Sequence, residues 1–186
     1  IQKGNQNMKF STRFVSATRE YSTFEKQIPS PYFRKSFTPG KVSSAEVTIC
    51  GLGFYELFVN GNRITRGLLS SYIANPDDFL YYDNYDLTPY LTDGENVIGV
   101  QLGNGMIDCF GGQVWEFEKA RFRSAPKFAL TFEAASEDGT KTEFDAADGF
   151  VCTESPVYLD DLRIGEFYDA RREIPGWNKP GFDASA

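Results

Sequence analysis

The chain has 186 residues, a net charge of -7 and no histidine. Its length suits one domain that buries a core without disulfides. The acidic charge argues against nucleic acid and anionic membranes as partners, because both are bound through clustered Lys and Arg. Without histidine, neither a Ser-His-Asp triad nor a His-Cys zinc site can form. No apolar run is long enough to predict a transmembrane helix.

Short apolar runs separated by turn residues dominate the first half of the chain. Residues 1–30 are polar and irregular, and we expect a leader that packs on the domain or trails it. Strands are predicted over 32–37, 45–50 and 54–59, with a break or bulge at the glycines near 52. Asn60-Gly61 predicts a type I′ hairpin, because both central residues of that turn need positive φ.

The second half continues the same pattern. Residues 79–87 indicate a strand that ends near Thr88, and Pro89 favours a helical turn directly after it. Long loops are predicted over 106–124 and around Asp160 and Asp161. Further strands are predicted over 97–102, 128–134, 141–144, 150–153 and 165–171. This pattern predicts an all-β fold, a jelly-roll-like β-sandwich of antiparallel strands with long loops.

The three cysteines, Cys50, Cys109 and Cys152, lie far apart and form no CxxC motif. At most one internal disulfide is possible, and small buried thiols are the simpler interpretation.

An oxygen-rich cluster precedes the predicted helical turn. Its members are Asp77, Asp78, Asp83, Asn84 and Asp86. Calcium takes six to eight oxygen ligands, so Asp83 and Asn84 are candidate calcium ligands. The spacing is not that of an EF-hand. The alternative is a solvated acidic loop in which Asp86 caps the helical turn.

A second candidate site follows the strand over 97–102. Asn104, Asp108 and Trp115 lie in or beside the next loop, and loops at the end of a sandwich commonly carry ligands. Trp115 could offer a flat face to a sugar, with Asn104 and Asp108 as polar partners. The alternative is a buried tryptophan that anchors a long loop.

No catalytic residue is predicted in the chain. Asp160 and Asp161, followed by Glu166, could meet the carboxylate spacing of a glycosidase, but an acidic domain offers such pairs by chance. Asp169 is expected to form an ion pair with Arg171 or Arg172.

Four segments of the chain carry distinctive motifs. They are a glycine-aromatic strand with an Asn-Gly hairpin, a Gly-Glu-Asn-Val run, a Leu-Gly-Asn-Gly motif, and Gly-Glu-Phe-Tyr-Asp-Ala-Arg followed by Pro-Gly-Trp. These occupy residues 51–63, 85–100, 102–105 and 165–177. Together they resemble the N-terminal domain of the bacterial α-L-rhamnosidases, a family of glycoside hydrolases. The last segment is the most specific, and the resemblance extends over roughly residues 30–183.

The resemblance implies a non-catalytic accessory domain, with catalysis on a separate (α/α)₆ barrel downstream in the same chain. Residues 31–172 would form the sandwich, and residues 173–186 would begin the linker to that barrel. Both ends look like cuts in a longer protein, which we expect to be periplasmic, secreted or at the surface of a bacterial cell.

Two roles stay open for such a domain. It could be a structural module that packs on the barrel, or a calcium-dependent module that binds L-rhamnose or rhamnose-containing glycans. The family often has Trp where this chain has Met106, and a thioether is a poor sugar platform. An exposed apolar surface would favour the structural module, and a groove with exposed aromatic rings and a cation would favour the binding module. An independent glycosidase is the third alternative.

Overall fold

Nearly all regular structure in the chain is β-strand. The structure, a computed structural model, describes residues 10–109 and 116–185. Its strands are β1 (Pro31–Phe37), β2 (Val42–Leu52), β3 (Phe54–Val59), β4 (Asn62–Arg63), β5 (Asp83–Asp86), β6 (Asn96–Gly103), β7 (Lys127–Ser136), β8 (Lys141–Asp145), β9 (Val151–Glu154), β10 (Val157–Asp161) and β11 (Gly165–Tyr168). Short 3-10 turns occur at Thr88–Tyr90, Phe117–Lys119 and Ala170–Arg172.

Two antiparallel sheets form the sandwich. One has five strands in the order β4-β3-β6-β1-β9, and the other has four in the order β5-β2-β7-β8. Strands β10 and β11 form a separate two-stranded ribbon. The predicted all-β sandwich is therefore confirmed.

The core lies between the facing sides of the two sheets. Alternate residues of β2, β3 and β6 point inward, among them Val47, Leu57 and Val100, which have no exposed surface. Aromatic residues fill the centre, where the rings of Phe132 and Phe144 stack at 4.7 Å between centroids. This alternation is the period-two pattern expected of strands with one buried face.

The chain passes from one sheet to the other at Gly53. Strands β2 and β3 are separated by this residue alone, although they belong to different sheets. Gly53 has φ +101°, and a Cβ there would lie 2.4 Å from the carbonyl oxygen of Gly103. Only glycine fits this crossing, which explains the break predicted from the sequence.

The Asn-Gly hairpin is confirmed. Asn60 and Gly61 have φ of 50° and 82° and join β3 to β4. The Asn60 side chain also reaches β6, since its Oδ1 accepts a hydrogen bond from the Val97 amide at 2.8 Å. Its Nδ2 donates to Asn96 Oδ1 at 2.8 Å. The turn residue therefore fixes the neighbouring strand as well as the hairpin.

Two predicted elements differ from those observed. Residues 79–82 form no strand, because regular structure begins only at Asp83, where β5 pairs with β2. The loop predicted around Asp160 and Asp161 is strand β10, which pairs with β11. Asp161 is the last residue of this strand. Its side chain accepts hydrogen bonds from the amides of Arg163 and Ile164 and so stabilises the turn between β10 and β11.

The described part of the leader lies against the four-stranded sheet. The amides of Val15 and Phe128 each donate to the other residue's carbonyl oxygen, at 2.9 and 3.0 Å. The Ser11 hydroxyl and the Arg13 guanidinium both donate to Asp145, at 2.7 and 2.6 Å. The segment from Ser11 to Val15 is thus bound to β7 and to the end of β8, whereas Ser22 and Ser30 bond to other parts of the domain.

The C-terminal tail, residues 174–185, contacts the outer face of the five-stranded sheet. The Trp177 indole stacks on Tyr32 with ring centroids 4.0 Å apart and meets the edge of Phe58 at 5.6 Å. A Cβ on Gly99 would lie 2.9 Å from Trp177, so the absence of a side chain makes room for the indole.

No disulfide joins the three cysteines, all of which lie among the described residues. Cys50 and Cys109 are buried, in line with the simpler interpretation of these thiols, but Cys152 is exposed on β9. A separate finding is that no helix among the described residues is long and apolar enough to cross a membrane.

The contact at Gly99 leads to a stability prediction. We expect Gly99→Ala to lower the free energy of unfolding by about 1–3 kcal/mol, because the new methyl group overlaps the Trp177 indole. Urea denaturation and the indole resonance of Trp177 measure the effect. Gly94→Ala is the matched control, since a Cβ there meets nothing within 4 Å. Equal stability of wild type and both variants would contradict this packing.

Candidate functional site

The outer face of the five-stranded sheet carries an open groove of about 620 Å³. The register of three strands determines which residues form the floor of the groove, because Gln101 of β6 is paired with Tyr32 of β1 and with Glu56 of β3. Residues directly opposite each other in antiparallel strands share a face, so the three side chains form one row. The ribbon and the loop after β4 supply further lining residues: Asp160, Glu166, Tyr168, Leu68 and Leu69. We call this surface the outer groove.

The outer groove is acidic. Burial raises the pKa of Glu56, the nearby Arg63 opposes this shift, and the negative charge of Glu166 adds to it. Arg63 lies 2.6 Å from Glu56 and is partly exposed. A row of carboxylate, amide and phenol groups can donate and accept hydrogen bonds, as a hydroxyl-rich ligand requires.

Asp160 lies at the end of the groove and holds the loop after β6. Its Oδ2 accepts a hydrogen bond from the Asn104 amide at 2.6 Å, and its carbonyl oxygen accepts one from Asn104 Nδ2 at 2.7 Å. Burial raises the pKa of Asp160, although the bond from Asn104 opposes the shift. Asp160 thus has a structural role in addition to lining the groove.

The residues predicted to hold a sugar are bonded inside the protein. Asn104 and Asp108 are each only 1% exposed. Asp108 accepts from the Ser22 amide at 3.0 and 2.9 Å and lies 3.5 Å from Arg123, which ties the leader to two loops. Burial raises the pKa of Asp108, against the bonds from Ser22. Trp115 lies outside the described residues, and a sugar site on these three residues stays a prediction.

The structure does not bring the predicted calcium ligands together. Asp83 and Asn84 are successive residues of β5, so their side chains point to opposite faces of the sheet. Asp83 accepts a hydrogen bond from the buried Tyr55 hydroxyl, and Asn84 Oδ1 accepts one from Thr48 at 2.7 Å. Within residues 10–109 and 116–185, no group of three or more acidic or thiol side chains could hold a metal ion. Calcium binding stays a prediction.

One of two expectations about local carboxylates is confirmed. Asp86 accepts a hydrogen bond from the amide of Thr88 at 2.9 Å, but the N-cap residue of the 3-10 turn is Leu87 and no side chain caps this turn, so the expected cap at Asp86 is wrong. Asp169 and Arg171 form an ion pair at 2.7 Å, and the hydrogen bonds from Arg171 lower the pKa of Asp169 to about 2. Arg172 pairs instead with Glu154.

Sequence reasoning missed the row of Tyr32, Gln101 and Glu56. These residues belong to three strands that are distant in sequence, and only the register of β1 and β3 on β6 brings them together. Asp160 and Glu166 are evident as acidic residues, but their local sequence does not show that they face this row.

The described residues form an antiparallel β-sandwich with an open groove on the outer face of one sheet. The family model for the alpha-L-rhamnosidase N-terminal domain matches residues 40–186. The chain belongs to this family, which confirms the resemblance found in the sequence.

Several proteins are similar to this chain. An alpha-L-rhamnosidase of Formosa agariphila is 33% identical over 181 residues, covering 90% of this chain and 19% of the relative. The solved alpha-L-rhamnosidase of Dictyoglumus thermophilum is 36% identical with a TM-score of 0.74, covering 84% and 17%. That of Streptomyces avermitilis, complexed with L-rhamnose, is 28% identical with a TM-score of 0.74, covering 86% and 15%. The chain therefore spans less than a fifth of each of these relatives.

The raised pKa of Asp160 predicts a pH effect. The folded chain binds a proton here more tightly than the unfolded chain, so this contribution to stability is present at low pH and is lost as pH rises through the folded pKa. As pH falls from about 7 to about 4, we expect the unfolding free energy of wild type to rise relative to Asp160→Asn.

Urea denaturation at several pH values tests this effect. Glu166→Gln, which removes an exposed carboxylate from the facing strand, is the control for loss of one negative charge. A difference between wild type and Asp160→Asn that does not change with pH would contradict the assignment.

Proposed function

We propose that the chain is a non-catalytic accessory domain of an α-L-rhamnosidase and that it packs against the catalytic part of the same protein. The observation that carries this proposal is an exposed apolar surface on residues 66–82, which we call the docking loop. Tyr72 is 79% exposed, Leu68 74% and Leu69 63%. Contiguous apolar surface of this kind is uncommon on an independent domain and typically marks a contact with another protein surface.

The docking loop is built as a cluster. Tyr81 lies between Tyr72 and Phe79, with ring centroids 5.7 and 5.3 Å away. The loop is fixed to the sandwich at its start, where the Tyr55 amide donates to the Ser70 carbonyl oxygen at 2.6 Å. Anchored backbone with outward apolar side chains suits a preformed contact surface, because little order has to be gained on docking.

The lengths of the relatives support a partner for this surface within the same parent chain. Since the matched region is only 19% of the Formosa agariphila relative, most of such a chain is available to cover the loop. We infer that the occupant is a catalytic barrel downstream in the same parent chain. The acid and base of glycoside hydrolysis would lie on that barrel.

Carbohydrate recognition is the second candidate function, and the outer groove favours it. The row of Tyr32, Gln101 and Glu56 offers an aromatic ring and hydrogen-bonding groups side by side. Such a surface suits a neutral sugar rather than an anion, because Glu56 and Glu166 would repel negative charge. A rhamnose-containing glycan is the ligand that the family suggests, with calcium at Asp83 or Asn84 as part of this alternative.

Catalysis is expected in the parent protein and not in this chain alone. We expect the chain alone to release no product from an aryl α-L-rhamnoside above the rate of a buffer blank, because the proposal places the acid and base outside it. A colorimetric assay with the parent protein as positive control measures this. Turnover by the chain alone that is abolished by Asp160→Asn or Glu166→Gln would contradict the accessory role.

Binding of a sugar to the outer groove would distinguish the two candidate functions. If the outer groove recognises a sugar, titration of the chain with L-rhamnose should give saturable binding that weakens about tenfold or more in Glu56→Gln. Calorimetry with calcium and with chelator, repeated on Asp83→Asn, tests the cation. Asp138→Asn, in the exposed turn between β7 and β8, is the control. No binding up to tens of millimolar would remove the second candidate and leave the structural role.

A further inference from the structure

The two-stranded ribbon of β10 and β11 has a polar face and an apolar face. Glu166 and Tyr168 of β11 line the outer groove. Phe167 lies between them and points to the opposite face, because successive residues of a strand alternate between faces. Its ring lies 6.0 Å from that of Tyr158 on β10, and the two residues are 46% and 41% exposed. The ribbon therefore presents an apolar face away from the groove.

The turn of the ribbon, residues 162–164, extends this apolar surface. Leu162 and Ile164 are 41% and 56% exposed. The backbone that carries them is held in place, since the buried Asp161 accepts hydrogen bonds from the amides of Arg163 and Ile164. A two-stranded hairpin is only marginally stable by itself, and contiguous exposed apolar surface typically marks a contact with another protein surface.

The base of the ribbon is fixed to the sandwich. The Ser30 amide donates to the Val157 carbonyl oxygen at 3.0 Å, and the Ser155 amide donates to the Ser30 carbonyl oxygen at 2.9 Å. Asp160 accepts a hydrogen bond from the Asn104 amide at 2.6 Å. The ribbon is thus attached directly before β1 and directly after β6, and little order has to be gained when its apolar face meets a partner.

The ribbon and the docking loop lie on opposite sides of the outer groove. The docking loop begins beside β3, where Ser70 forms a β-bridge with Tyr55. The ribbon is attached beside β1. The floor of the groove runs between these two strands, from Glu56 of β3 through Gln101 of β6 to Tyr32 of β1. One exposed apolar surface therefore stands at each side of the same groove.

We propose that the ribbon is a second contact for the catalytic part of the parent protein, which thereby roofs the outer groove from the docking loop to the ribbon. This inference rests on the proposed accessory role, because one partner has to reach both sides of the groove. The matched region is less than a fifth of each relative, so most of such a chain is available to span it.

The acidity of the groove determines the chemistry of the roof. Glu56, Asp160 and Glu166 line the groove, and a surface that excludes water from it strengthens the repulsion among their charges. The partner therefore has apolar side chains over Phe167 and Ile164, and Lys, Arg or other hydrogen-bond donors over the carboxylates. The roofed groove is a cleft between two domains, where sites for small ligands commonly lie.

Footprinting of the chain alone and of the full-length parent with two reagents tests the roof. Hydroxyl radicals report on Phe167 and Tyr158, with the exposed Phe24 as reference. Coupling of an amine through a carbodiimide labels carboxylates and reports on Glu166, with Asp138 in the turn between β7 and β8 as reference. We expect the oxidation of both rings and the labelling of Glu166 to fall severalfold in the parent protein.

A substitution in the turn of the ribbon tests the apolar contact. Ile164→Asp places a carboxylate without a partner in that contact, so we expect oxidation of Phe167 in the parent to rise about twofold or more. Tyr90→Asp is the matched control. Tyr90 is also partly exposed, but it lies near the start of β6, because Asn60 bonds to both Tyr90 and Val97. Circular dichroism verifies that both variants fold.

Each other outcome overturns the inference in a recognisable way. If Tyr72 is protected in the parent but Phe167 and Glu166 are not, the ribbon contact is wrong and the accessory role remains. If Tyr72 is unprotected as well, both are wrong. Protection of Phe167 without protection of Glu166 excludes the roof, and unchanged oxidation of Phe167 in Ile164→Asp excludes the contact at the turn. A dimer of the chain alone in analytical ultracentrifugation that is lost in Ile164→Asp would assign the ribbon to a second copy instead.

Discussion

The structure depends on a central strand, β6, that is buried on both faces. Ile98 and Val100 face the core, while Val97 and Gly99 are covered on the other side, and each of these positions is buried. The core requires a second sheet, and the outer face requires the Trp177 tail, which approaches only because Gly99 has no side chain. Strands buried on both faces are unusual in an antiparallel sandwich, where one face commonly meets water. The Trp177 indole of the tail stacks on Tyr32, which also lines the outer groove, so the tail borders that groove.

The buried polar residues mainly hold segments together. Asp108 joins the leader to the loop after β6, and Asn104 joins that loop to the ribbon through Asp160. Such hydrogen bonds compensate for the cost of burying charged and amide groups. The docking loop and the outer groove are two surfaces that we propose to have a function in the parent protein.

The local features of the fold could be predicted from the sequence, whereas features that depend on the register between strands could not. Period-two alternation and the Asn60-Gly61 turn were sufficient to predict the central strands and the hairpin, because their causes lie within a few residues. The family was recognisable for the same reason, since its motifs are short and occur in order. Strand β10 was missed because Asp160 and Asp161 interrupt its apolar pattern. The row across β1, β6 and β3 was not predictable, since it is created by residues distant in sequence.

We propose that the docking loop is covered in the parent protein. Hydroxyl-radical footprinting of the chain alone and of the full-length parent tests this most directly, because both Tyr72 and Leu68 are more than half exposed in the chain, at 79% and 74%. Phe24, which is 69% exposed on the leader, serves as the internal reference. We expect oxidation of Tyr72 and Leu68 to fall severalfold in the parent protein relative to Phe24. Equal oxidation of the docking loop in both proteins would contradict it.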